Sequence, residues 1–402
     1  MVKICPNHCL KKVAVITATR AEYGLLSGLI QSLHQHPSFE LQLLVTGAHL
    51  VADQGKSVTE IRQAGIPITA EIPIALPDYL QAEDVMAQIT AQAVAQFSQA
   101  FLHYRPDLVV ILGDRYEILG VATAALLNQI PIAHLHGGEL TQGAVDDAIR
   151  HAITKMSSLH FVAADVYRKR VLQMGEAPER VFNVGAMGLD KIRQLDFLTQ
   201  DALEQTMGLS LTSPTLLITH HPETWHRLSA QQGLQALFRA IEHLAESQGK
   251  VTIIWTAANL DAEGAKINQM VQQQLRGWEN SPAYANICAK FVPSLGSQRY
   301  LSLMKLADLV VGNSSSGIIE APALQTATVN IGERQAGRLM AKSIFQAKPE
   351  VNSILQAMEK GLNYRFIGDE SLYGDGASVQ TIMHILEEQD FKQLLPKPFV
   401  DL

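Results

Sequence analysis

Leu108-Val109-Val110-Ile111-Leu112-Gly113-Asp114-Arg115 is the stretch on which the fold turns. Five apolar residues run without polar interruption and stop at a glycine followed by two charges. A strand that is apolar on both faces must be covered on both, the condition met inside a parallel sheet. Upstream, Val13–Thr19 and Leu41–Thr46 read as strands, and Glu22–His36, Gly55–Ala64 and Ala82–His103 as helices. Downstream, Ile130–Leu135, Leu159–Ala163 and Val181–Val184 read as further strands with helices between them.

The alternation pauses at Leu195–Pro214, which is polar and turn-rich and reads as a linker. It resumes with strands at Thr215–Thr219, Val251–Thr256, Ile287–Phe291, Leu309–Val311 and Thr328–Ile331, and a helix at Gln232–Gln248. Gly374–Glu388 reads as a last helix crossing back onto the first half. The expected organisation is an α/β protein of two Rossmann-like domains, residues 1–195 and 196–373, with 374–402 returning to the first. In open α/β sheets ligands bind beyond the carboxyl ends of the strands. Two such sheets facing a central cleft would gather the chemistry there.

Composition narrows the function. The 402 residues are 47% hydrophobic and 18% charged, enough for large cores without disulfides or metals. Lys and Arg total 32 against 39 Asp and Glu, a balance of −7 that argues against nucleic acid as a partner. The sparse cysteines, Cys5, Cys9 and Cys288, form no disulfide framework, so a cytoplasmic location is expected. Cys5-Pro-Asn-His8-Cys9 lacks a second ligand pair at zinc spacing. No apolar run reaches the roughly 18 residues of a membrane span, and Met1–Lys12 lacks the apolar stretch of a signal peptide. Gly-x-Gly-x-x-Gly is missing after the first strand and Gly-x-Ser-x-Gly is absent, so neither a nicotinamide cofactor nor a serine nucleophile is expected. No cofactor is expected at all.

Polar residues concentrate after the strands. Arg20-Ala-Glu-Tyr23, Gly113-Asp114-Arg115, His134-Leu-His136-Gly-Gly-Glu139, His220-His221-Pro222, Gly312-Asn-Ser314-Ser315-Ser316-Gly317 and Gly332-Glu-Arg334 all occupy strand ends. The Gly312–Gly317 turn leads into a helix and can cradle phosphate with its N–H groups and hydroxyls, or serve as an ordinary serine cap. Glu320 could accept from a ribose diol, or be a solvated helix charge. Arg20, Arg334 and His221 could neutralise a diphosphate, arginine doing so through its planar fork. Asp146 and Asp147 open a helix, where capping alone also places acids. If they share a site with Asp114 and Glu139, mutual repulsion would separate their pKa values into an acid and a base. His134 and His136 sit on one side of a strand, and His136 reads as a polar cleft residue, since a metal would need a third ligand.

Together with Val45-Thr-Gly-Ala-His49, Asp146-Asp147-Ala-Ile-Arg150-His151 and Gly332-x-Arg334-Gln-x-Gly-Arg338, these motifs resemble the hydrolysing UDP-N-acetylglucosamine 2-epimerases. These are the bacterial sialic-acid pathway enzymes and the epimerase half of the animal bifunctional enzyme. The resemblance runs in order over about residues 11–390. It implies a GT-B fold, a UDP-sugar substrate, release of UDP and N-acetylmannosamine, and a homodimer or homotetramer. By matching motif, Ser314, Ser315, Glu320, Arg334 and the Val292 backbone would hold UDP. Arg20 and His221 would contact its diphosphate, and Asn259 and Arg115 the bound substrate. Asp114, Asp146, Asp147, Glu139 and His136 would surround the sugar as the catalytic set. The animal enzyme and the non-hydrolysing relatives carry Glu where this chain has His136; if that Glu is a catalytic acid or base, His136 or a neighbour must take over its role. A diacetamido-trideoxy UDP-sugar, or glycosyl transfer on the same fold, are the alternatives.

Overall fold

The computed structural model describes residues 10–51, 57–74, 85–141, 145–222, 227–258 and 262–401. The chain divides into two compact units, residues 1–139, 145–190 and 374–402 in one, 140–144 and 191–373 in the other.

The first unit holds a seven-stranded parallel sheet. Its strands are β1 (Lys11–Thr17), β2 (Phe39–Thr46), β3 (Ala70–Ile72), β4 (Leu108–Leu112), β5 (Ile132–Leu135), β6 (Leu159–Val162) and β7 (Val181–Asn183). The second unit holds a six-stranded parallel sheet of β8 (Thr215–Thr219), β9 (Val251–Thr256), β10 (Ile287–Val292), β11 (Leu309–Gly312), β12 (Thr328–Ile331) and β13 (Ile344–Ala347). The orders are β3-β2-β1-β4-β5-β6-β7 and β10-β9-β8-β11-β12-β13. Each reverses direction once, at β1/β4 and at β8/β11, and those are the switch points where such sheets bind ligands.

Period-two packing explains the unbroken apolar strands. Leu108, Val110 and Leu112 join one core cluster with Leu26, Leu29 and Ile30, while Val109 and Ile111 join another with Phe97, Phe101 and Val121. In the second sheet Leu216 and Ile218 pack on one side and Leu217 on the other. Both faces of each sheet are therefore covered, which is why no polar residue interrupts Leu108–Leu112 or Leu216–Ile218.

Three expectations change. Leu195–Pro214 is not a plain linker. It contains the helix Gln200–Met207, capped by Thr199 and closed by the left-handed Gly208. Strands β3 and β13 are additional, and both are sheet edges. Strand β1 ends at Thr17, so Arg20 is not in a loop but opens the helix Arg20–Gln35, and Thr19 and Glu22 form a reciprocal capping box there. Among the described residues no helix is long and apolar enough to cross a membrane.

Candidate functional site

In the first unit the site residues follow β1, β4 and β5. Asp114, just past β4, pairs with Arg150, a buried side chain on the helix Val145–Met156. His134 stands behind this turn. Its Nε2–H donates to the Gly113 carbonyl at 2.8 Å and its Nδ1 meets the Thr154 hydroxyl at 3.2 Å. Complete burial pushes its pKa down to about 3, so the ring is neutral and fixes the Gly113–Asp114 turn by hydrogen bonding.

His134 and His136 do not form one imidazole pair. Strand β5 ends at Leu135, and His136 adopts a left-handed φ of 63°. Its Nδ1 lies 2.7 Å from Glu139 Oε1, and its Nε2 accepts from the Met187 backbone N–H at 3.3 Å. Asp146 and Asp147 occupy the first turn of Val145–Met156, and Asp147 lies 3.7 Å from His151. Asp114, Glu139 and Asp147 thus each have a basic or imidazole neighbour.

Arg20 is half exposed and bonded to Glu60 at 2.8 Å, an ion pair a ligand would have to displace. Arg115 Nε donates to the buried Glu117 at 2.5 Å. Glu22, also buried, has its pKa raised to about 7, first by burial and then by the Glu117 charge.

In the second unit the switch point carries the serine turn. Gly312 ends β11 at φ 138°, and a Cβ there would lie 1.9 Å from the Thr219 carbonyl, so no other residue fits. Ser315 occupies the N-cap position of the helix Ser316–Ala323 without a capping bond from its side chain, while the Ser314 hydroxyl accepts from the Ser316 N–H at 3.4 Å. The Asn313 side chain holds the His221 backbone, and the Asn313 backbone carbonyl accepts from Arg334 Nη1 at 3.0 Å and Gln335 Nε2 at 2.9 Å. Burial and then the Arg334 charge hold His221 well below the ordinary histidine range. His221 therefore brings a neutral ring to this loop, and the positive charge there belongs to Arg334. Val292 closes β10 opposite Thr256. Glu320 lies on the serine helix, and the Tyr300 hydroxyl reaches Ser316 and Thr219.

The motif reading did not single out Asn313, Tyr300, Gln335 or His134's hold on Gly113. Only Asn313 had a local signal, an amide between Gly312 and the serines. Asn259 lies outside the described residues, as do Cys5, His8 and Cys9. Among the described residues no three His, Cys, Asp or Glu side chains are grouped to hold a metal ion.

The solved structures most informative for the fold are a UDP-GlcNAc 2-epimerase from Neisseria meningitidis bound to UDP-GlcNAc and the S. aureus protein MnaA with UDP. Both align with a TM-score of 0.77 at 16% identity, covering 94% and 98% of this chain and all of theirs. They establish the GT-B type fold. A Campylobacter jejuni protein named GDP/UDP-N,N'-diacetylbacillosamine 2-epimerase (hydrolyzing) is 42% identical over 352 residues, 87% of each chain. A Legionella pneumophila UDP-N,N'-diacetylbacillosamine 2-epimerase (hydrolyzing) is 33% identical, over 94% of this chain and 96% of its own. Escherichia coli polysialic acid biosynthesis protein P7 is also 33% identical, over 89% and 88%. The family described as UDP-N-acetylglucosamine 2-epimerase matches residues 31–387. With that match over most of its length, the chain belongs to the UDP-N-acetylglucosamine 2-epimerase family.

Proposed function

We propose that this protein is a hydrolysing 2-epimerase of a UDP-linked 2-acetamido sugar, acting on UDP-N,N'-diacetylbacillosamine. The observation that carries the chemistry is the carboxylate set after β4 and β5, Asp114 and Glu139 each beside a basic or imidazole group, with Asp146 opening the next helix. Nucleotide binding alone does not need it. The choice of sugar is supported by the Campylobacter and Legionella relatives, which are nearly full-length matches and carry that substrate in their names. UDP-N-acetylglucosamine, giving N-acetylmannosamine, is the second reading, favoured by a 30% identical Neisseria meningitidis protein named UDP-N-acetylglucosamine 2-epimerase.

In this reading Arg334, Ser314, Ser315 and the N–H groups of the serine turn take the UDP diphosphate, Glu320 the ribose and the Val292 backbone the uracil. His221 adds a hydrogen bond rather than a charge. A proton on C2 of a glycoside is not acidic until C1 loses its leaving group. Departure of UDP, stabilised by these donors, makes that proton removable. One carboxylate of Asp114, Glu139 and Asp146 takes it, leaving a glycal. Water then adds at C1 as a proton returns to C2 on the opposite face.

The test is turnover of each UDP-sugar in D2O, read by proton NMR. The expected product is the free 2-epimeric sugar with deuterium at C2 and one UDP released per sugar, fastest with the diacetamido substrate. Release of the unepimerised sugar with its C2 proton intact would point instead to a glycosyltransferase hydrolysing its donor.

A further inference from the structure

The Met187 N–H that meets His136 belongs to the first residue of the helix Met187–Gln194, where no earlier carbonyl of the helix can accept it. A ring nitrogen that accepts carries no proton, so Nδ1 holds it and donates to Glu139 Oε1 at 2.7 Å. The positive end of the helix favours the same tautomer. The left-handed backbone of His136 is the turn that lets one ring reach both partners.

That helix is where the chain leaves the first unit, after Asp190, and Gly374 is where it returns. Asp190 accepts from the N–H groups of Ser378 and Val379, at 3.1 and 2.7 Å, at the start of the returning helix Ser378–Glu388. Gly374 passes so near Gly185 that a Cβ on it would lie 3.0 Å from the Gly185 Cα. The outgoing and returning segments are thus fastened to each other, and His136 fastens the outgoing one to Glu139.

We propose that His136 is a positioning residue whose two ring nitrogens tie the Glu139 carboxylate to the helix Met187–Gln194, so that the aim of Glu139 follows the segment by which the chain leaves the first unit. This rests on the reading of Glu139 as a group that acts on the sugar. A bridge works only when both ends hold, so losing either bond costs what losing the ring costs.

Three variants separate the ends. His136→Asn keeps an amide donor where Nδ1 stood, and Asn accepts a left-handed backbone. His136→Gln keeps an acceptor where Nε2 stood, and His136→Ala keeps neither. All three are expected to lose kcat to a similar extent, at least about tenfold. KM and calorimetric UDP affinity should stay within about threefold. Wild-type kcat in either the Asn or the Gln variant overturns the bridge. Glu139→Gln is the control: retained turnover there overturns the reading of Glu139 itself, whereas lost turnover beside an unaffected Gln variant overturns only the positioning. The wild-type protein supplies a measurement that needs no variant. Histidine 15N spectra are expected to show His136 protonated at Nδ1 and bare at Nε2, and a proton on Nε2 overturns the proposal.

Discussion

The side-chain amide of Asn313 closes a two-way hydrogen-bond pair on the backbone of His221. Its Oδ1 accepts from the His221 N–H at 2.7 Å and its Nδ2 donates to the His221 carbonyl at 2.9 Å. The two residues are 92 apart in sequence and follow adjacent strands, β11 and β8. One buried amide therefore joins the two loops at the switch point of the second sheet and imitates a strand pair where the strands have ended.

Asn313→Asp is nearly isosteric, yet a carboxylate has no donor for the His221 carbonyl. The loss of that bond in a buried place is expected to cost about 1–3 kcal/mol. A lowered urea midpoint, together with weaker UDP binding by calorimetry, is the expected outcome. Unchanged values in both would show that the pair is dispensable.

Arg334→Ala should weaken UDP binding by about 1–3 kcal/mol, the scale of one charge-assisted hydrogen bond. Because His221 is neutral, a companion His221→Gln should lose less. Isothermal titration with UDP compares them directly, and an Arg334 variant with native affinity would move the nucleotide elsewhere.

Acid should destabilise the first unit through His134. Its folded pKa of about 3 lies below the ordinary 6.5, so below pH 6.5 the unfolded chain binds a proton that the folded chain refuses. The stability is complete above pH 6.5 and is lost as pH falls towards 3. Between pH 6.5 and 5 the loss is about 2 kcal/mol for this one ring. His134→Gln keeps a donor for the Gly113 carbonyl but cannot titrate. Urea unfolding of both proteins at pH 7 and pH 5 should show the smaller change in the variant.

Much of the fold was legible because both faces of each sheet are covered. Runs such as Thr215–Thr219 and Val251–Thr256 match their strands to the residue. Two of the four edge strands escaped notice because Ala70-Glu-Ile72 and Ile344-Phe-Gln-Ala347 are short and each carries an exposed polar residue, as an edge permits. Thr199 and Gly208 were visible cap signals for the helix between them, outweighed by the polar composition around it. Strand-end residues could be read as site candidates, but their pairings could not. Arg150 with Asp114, and His136 with Met187, join positions 36 and 51 apart, and only the folded sheet brings them together.

Asp114→Asn and Asp146→Asn are each expected to lower turnover at least about a hundredfold while UDP affinity stays native. Asp114→Asn also removes the charge beside Arg150, so its melting temperature should fall by several degrees, about the effect of 1–2 kcal/mol on a domain of this size. Turnover near native in both variants would return these residues to capping.

Gly312→Ala should yield little soluble protein. Its Cβ would overlap the Thr219 carbonyl of the neighbouring strand at 1.9 Å, and its φ of 138° is one that L side chains rarely adopt. Relief requires β8 and β11 to separate, at a cost above about 4 kcal/mol. Expression with a native circular dichroism spectrum and native UDP affinity would contradict this.

The discontinuity of the first unit bears on how the protein is made. Val379, Ile382, Met383, Leu386, Phe391 and Leu394 belong to the same cluster as Val13, Leu29 and Leu108. A ribosome delivers residues one end first, so the sheet begun at Lys11 waits with part of one face uncovered until the helix Ser378–Glu388 emerges. The second unit, begun some two hundred residues later, is whole once Tyr373 has appeared. At about 5–20 residues per second the wait lasts tens of seconds. During synthesis the later-starting unit can therefore finish first.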